Sequence, residues 1–167
     1  RDVGVPAAQV PLLWMAHNAV KAALSAPLGA LSDRVGRRRV ILAGWALYAL
    51  VYLGFATLRG PGAAWALLLV YGLYYALLEG AEKALVADLA PAALRGRAFG
   101  WFHGVVGACA LPASLLCAYL YKSDAAAGPA RAFSAGAALA AAAALLLLRV
   151  PAGLTPTPAS TQARAHG

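Results

Sequence analysis

Charge is scarce in this chain: 12% of its 167 residues are Asp, Glu, Lys or Arg, where a soluble domain carries roughly 25%. Acids are the scarcest, six against fourteen Lys and Arg, for a net charge of +8. So little polarity argues against a disordered chain and an ordinary soluble enzyme. Cysteine is nearly missing too. Cys109 and Cys117 are the two present, in one apolar run. On a helix they share a face but sit about 12 Å apart along the axis, too far to be bridged. That argues against a disulfide-stapled secreted module. There is no Cys-x-x-Cys and no His pair at ligand spacing, so no metal and no cofactor is expected. No Ser/His/Asp arrangement or phosphate-cradling glycine loop stands out either, and the chain is not expected to be an enzyme.

What is abundant is apolar surface. Hydrophobic residues make up 62% of the chain and the mean hydropathy is +0.70. Five runs carry it: Val10 to Leu31, Val40 to Leu58, Ala63 to Leu89, Ala98 to Tyr121 and Ala130 to Val150. Each is near the ~20 residues that cross a ~30 Å hydrocarbon core as a helix. Helix is the fitting conformation, because an open strand leaves its backbone unsatisfied in lipid. The fold class expected is all-α, a polytopic bundle of five transmembrane helices with the lipid bilayer as its partner. Short gaps make consecutive helices antiparallel neighbours. Residues 1–9 form an external N-terminal segment in this reading. Residues 151–167, rich in Pro, Thr, Ala and Ser, form a disordered cytoplasmic tail.

The basic residues fall in the gaps. Arg34, Arg37, Arg38, Arg39, Arg95, Arg97 and Arg149 lie on one side; Arg1, Arg59, Lys122 and Arg131 lie on the other. The excess places the first set, and the C-terminus, in the cytoplasm. Division between two sides argues against nucleic-acid binding. An outside start with no Met and no signal pattern suggests that Arg1 is preceded by more protein.

Four charged residues lie clearly inside the runs, away from their ends: Lys21, Glu79, Glu82 and Lys83. Such groups are costly in lipid and face protein or water. Trp14, His17, Asn18, Lys21 and Ser25 form one helical stripe in the first run. Tyr71, Tyr75, Glu79, Glu82 and Lys83 share a face of the third, with Glu79 and Lys83 in the favourable order four apart. These two faces either line a translocation path or form a buried ion pair that holds two helices together. A lone His17 reads more simply as a hydrogen-bonded core histidine. The second and fifth runs lack such a stripe and are expected at the periphery. In the fourth, small residues at Gly96, Gly100, Gly104 and Ala108 suggest close helix packing, and Pro112 suggests a kink.

One gap carries a motif, Gly29-Ala30-Leu31-Ser32-Asp33-Arg34-Val35-Gly36-Arg37-Arg38-Arg39. It resembles the signature loop of the major facilitator superfamily, Gly-x-Leu-x-Asp-Arg-x-Gly-Arg-Arg/Lys. The stretch Glu79 to Pro91, followed by Arg95-Gly96-Arg97 and Gly100, is similar to the family's loop two spans further on. The resemblance extends nearly to Val150. It implies twelve spans in two six-helix halves, with these five runs as spans eight to twelve. The partner it implies is the N-terminal half of the same protein. The function implied is secondary transport of a small solute by alternating access, in uptake or efflux, with Glu79 or Glu82 as possible proton carriers. A non-transporting membrane receptor or assembly protein is the alternative. The location implied is a bacterial plasma membrane.

The loop also has a physical reading. Gly29 permits close helix contact, and Gly36 allows a left-handed turn residue. Asp33 is in reach of Arg37, and Arg37 in reach of Asp88. With Arg34, Arg38 and Arg95 nearby, this cluster is expected to latch the cytoplasmic helix ends together. The simpler reading is a solvated basic loop that sets topology.

Overall fold

The computed structural model describes residues 4–150, and every regular element among them is helical. After a short 3-10 turn at Ala7–Gln9, five long helices follow: α1 Val10–Val35, α2 Arg37–Ala56, α3 Pro61–Leu89, α4 Arg95–Lys122 and α5 Gly128–Arg149. The tail expected to be disordered lies outside the described residues.

The breaks between helices are where the turn chemistry is. Gly36 alone separates α1 from α2. It sits at φ +96°, where a side chain would be strained, and its N–H closes α1 on the carbonyl of Ser32 at 3.1 Å. The polar gap therefore does not unwind: both helices run through it, and one residue makes the reversal. Gly60 at φ +80° opens α3, with Pro61 in the first turn, where a missing N–H costs nothing. α3 ends in front of Pro91, which disfavours helical backbone in the residue before it. Asp124 shapes the entry to α5: its Oδ1 accepts the N–H groups of Ala126 and Ala127 at 2.8 and 3.2 Å. Those two bonds hold its carboxyl below the usual carboxylate range. Pro27 and Pro112 both lie inside helices that continue past them as single elements.

The helices pack in the order α1, α3, α2, α5, α4, with α4 touching α3 lightly. α1 and α3 run in the same direction. Contacts between them rise together along both chains, from His17 against Leu68 to Lys21 against Glu79. α2, expected at the periphery, is flanked by α3 and α5 and still exposes Leu50 and Leu53. It supplies Val40, Ile41, Gly44 and Val51 to the buried set. Aromatic residues give it this role: Trp45, Tyr48, Tyr52 and Phe55 recur every three or four residues and make a packing stripe without charge. Val40 and Ile41 join Ala81, with Trp45, Leu77, Leu85 and Leu147 packed around them, in a small core beside the Gly36 loop.

α4 is the exposed helix and buries no residue. Its small-residue stripe meets nothing among the described residues: a Cβ added at Gly96, Gly100 or Gly104 finds no atom within 4 Å. Gly29 is open in the same way. The close contacts expected at Gly29, Gly100 and Gly104 are therefore absent among the described residues. They occur at other glycines. Gly72 lets α3 reach α1, where a Cβ would lie 2.8 Å from the His17 carbonyl oxygen. Gly136 lets α5 reach α2, where it would lie 2.6 Å from the Tyr52 ring. Backbone is the harder obstacle, so Gly72→Ala is expected to force α1 off α3. Overpacking of this kind costs about 1–3 kcal/mol. Thermal unfolding of the detergent-extracted protein would show it as a lowered midpoint, and an unchanged midpoint would mean the two helices tolerate separation.

α2, α3, the segment Ala92–Lys122 and α5 are each long and apolar enough to cross a membrane. α1 has the length, at 26 residues, but its polar stripe lowers its hydropathy below that of the other four.

Candidate functional site

The polar stripes of α1 and α3 meet. The Lys21 Nζ lies 2.6 Å from Glu79 Oε2, and the Lys83 Nζ lies 3.1 Å from Glu79 Oε1. One carboxylate thus bridges two ammonium groups, one from each helix. Lys21 sits near the middle of α1 and also lies 5.5 Å from the centre of the Tyr75 ring, a distance at which a cation is drawn to the π face.

One to two turns away the contacts become aromatic. His17 is buried, and its Nδ1 is 3.1 Å from the Leu68 carbonyl of α3. Its ring stacks on Trp14 at 5.3 Å and packs against Tyr71 and Tyr75 at 5.5 and 5.6 Å. That is the arrangement of a core histidine with its partner satisfied. The hydroxyls of Tyr71 and Tyr75 approach to 3.4 Å. Asn18 joins no partner across the interface: its amide donates to the Trp14 carbonyl one turn back, at 2.8 Å.

Glu82 does not join this cluster. Its carboxylate is half-buried on the flank of α3 facing Trp45 of α2, with Tyr74 nearby. Three residues after Glu79, it is rotated by about 60° around the helix, enough to put it on a different neighbour. Its placement depends on α2 packing against α3, which the pattern within α3 does not contain.

Past Glu82, α2, α3, α4 and α5 border an open cleft of about 710 Å³ lined by Trp45, Tyr48, Tyr52, Tyr74, Ser114 and Cys117, among others. Tyr48 and Tyr52 stack at 4.0 Å along its wall. The aromatic spacing along α2 was the available signal for this wall.

The second cluster is at the Gly36 loop. Arg37 donates from Nη1 to Asp33 Oδ1 at 2.7 Å and from Nε to Asp88 Oδ2. Nη1 also lies 3.3 Å from the Ser32 hydroxyl. One guanidinium therefore ties the ends of α1, α2 and α3. Its fork of fixed donors suits it to two carboxylates at once. Arg38, the next residue, turns the other way. Its Nη2 donates to the carbonyls of Leu147 and Leu148, both at 2.9 Å. These belong to the last turn of α5, whose carbonyls have no helical partner and where a positive charge is favoured. The sequence suggests Arg38 as a latch residue but not this target, which lies more than a hundred residues away. Arg34 and Arg95 are exposed and make no ion pair among the described residues.

The two clusters share the parallel pair α1 and α3, one at mid-helix and the other at the helix ends. The Major Facilitator Superfamily model matches this chain over residues 1–166. The chain belongs to the major facilitator superfamily. It is 40% identical over 136 residues to an uncharacterised MFS-type transporter of Methanocaldococcus jannaschii. That match covers 81% of this chain and 33% of the relative, so the chain spans about a third of the length of the relative it matches. No solved structure matches it. Membership and the four strongly apolar helices make this a multi-pass membrane protein, of a family built for transport rather than catalysis.

Proposed function

We propose that this chain is the C-terminal part of a secondary transporter that moves a small solute by alternating access. The observation that carries the reading is the Lys21–Glu79–Lys83 bridge, an ionised cluster between the parallel helices α1 and α3, with Lys21 near the middle of α1. Charge at that depth is tolerated where it faces a water-filled cavity or protein, and transporter sites lie near the bilayer midplane. In this reading all five helices span the plasma membrane, α1 included. The Arg37 loop and the C-terminus lie in the cytoplasm, as the excess of arginine on that side requires. The Arg37 contacts to Asp33 and Asp88 act as the latch, closed in one access state and released in the other. The remainder of the protein supplies the opposite wall of the path.

Coupling to protons falls to Glu82 in this reading. Both oxygens of Glu79 are taken by lysines, so a proton there displaces two ion pairs. Glu82 has Trp45 as its hydrogen-bonding neighbour and Lys83 only beyond ion-pair distance, so it takes a proton without breaking a close pair. Solute flux in proteoliposomes holding the complete protein tests both statements. An imposed pH gradient is expected to accelerate flux, and Glu82→Gln is expected to remove the acceleration while leaving exchange at equal pH. Flux indifferent to the gradient removes proton coupling. Ligand binding without any flux removes transport and leaves a membrane receptor.

A further inference from the structure

The four charges within the spans are balanced in number but not in place. Glu82 faces Trp45, whereas Lys21, Glu79 and Lys83 stand together on the α1–α3 side. Counted by close ion pairs, that group carries one positive charge in excess, with Glu82 acting on Lys83 at longer range. It also carries an excess of donors. Each ammonium has three N–H groups, and Glu79 engages one on each lysine. The described residues offer the others no further acceptor within an ion-pair distance. Lys83 and Glu79 remain open at the surface of this chain, with side chains 47% and 42% exposed. A cationic, donor-rich group on helices that cross a membrane is stabilised by an anion that brings acceptor oxygens.

The bridge itself shows what kind of anion fits. Glu79 spans the two ammoniums with one oxygen on each, so the lysines already stand at a separation that a carboxylate matches. A single negative charge cancels the excess; a dianion over-neutralises it. The surroundings describe the body of the solute. Trp14 is 62% exposed and Tyr75 37% exposed. Trp14 lies seven residues before Lys21, about 10 Å along the helix. The wall beside the lysines is therefore flat, aromatic and about one small ring system long, and rings of this kind pair face to edge or offset.

We infer that the Lys21–Glu79–Lys83 face takes an organic monoanion, a carboxylate on a flat apolar body, an inference that rests on the transporter reading above. The carboxylate sits against the open donors of Lys21 and Lys83, and the apolar body lies along Tyr75 toward Trp14.

Three probes of one shape and different charge test it: radiolabelled benzoate, benzamide and benzylamine, bound to the complete protein in nanodiscs. Benzoate is expected to bind saturably, and at least tenfold more tightly than either of the others. Lys83→Gln is expected to weaken benzoate at least tenfold and to erase the preference, whereas Lys83→Arg keeps it. Circular dichroism of each variant confirms that the helices are formed. Equal or tighter binding of benzamide or benzylamine overturns the inference. So does the absence of binding by all three in a preparation that still transports another solute, and so does benzoate binding untouched in Lys83→Gln. A preparation that binds none of the three and moves no solute counts instead against the transporter reading.

Discussion

Glu79→Leu is expected to reduce the amount of correctly inserted protein at least tenfold. The substitution leaves Lys21 and Lys83 without the carboxylate that now bridges them at 2.6 and 3.1 Å. An uncompensated lysine at the centre of a span costs about 2.5–3.5 kcal/mol. α1, the least apolar of the five helices, has the smallest margin to absorb that loss. Quantifying the folded, detergent-extractable protein from membranes checks the amount. The triple variant Lys21→Met, Glu79→Leu, Lys83→Met removes all three charges together and is expected to restore insertion but not transport. Normal accumulation of Glu79→Leu alone would show that the lysines find water or another partner, and that the bridge does not hold α1 to α3.

Arg37→Ala is expected to lower the transport rate at least tenfold with insertion intact. Its guanidinium is the group common to Asp33 of α1 and Asp88 of α3. Without it, Asp33 and Asp88 lose the charged partner that they share. Arg37→Lys is expected to recover little, because an ammonium lacks the planar fork that reaches two acids at once. Asp33→Asn, which removes one of the two charged contacts, is expected to give a milder loss in the same direction. Initial rates in vesicles, normalised to inserted protein, measure all three. Wild-type rates in Arg37→Ala would reduce the loop to a topology signal.

The chemistry of both clusters was legible along the chain, for a local reason. Residues three and four apart on a helix share a face, so Tyr71, Tyr75, Glu79 and Lys83 declare themselves as a stripe, and so do Trp14, His17 and Lys21. The contact of Arg37 with Asp33 follows from a spacing of four residues, and its reach to Asp88 was expected from the place of Asp88 at the end of the third run. The same local rule misled at Glu82 and along α4. Glu82 is close to the stripe in angle, yet α2 draws it to Trp45. Gly100 and Gly104 look like a packing seam, yet none of the described helices lies against them. Gly72 and Gly136 carry the close approaches, and nothing in their immediate neighbours marks them out. Arg38 belongs with the loop in sequence and with the end of α5 in space.

Composition and the 3.6-residue period thus determined by themselves that the chain is helical, apolar enough for lipid, and striped with charge on α1 and α3. Tertiary structure alone decided which helices are neighbours. It set α2 between α3 and α5, brought α1 against α3 so that one carboxylate meets two lysines, and assigned adjacent arginines to different partners. The physical reason is that a helix's own pattern specifies which face is polar or small. The helix that meets that face is selected by shape, through glycines and aromatic rings that act only when two surfaces are brought together.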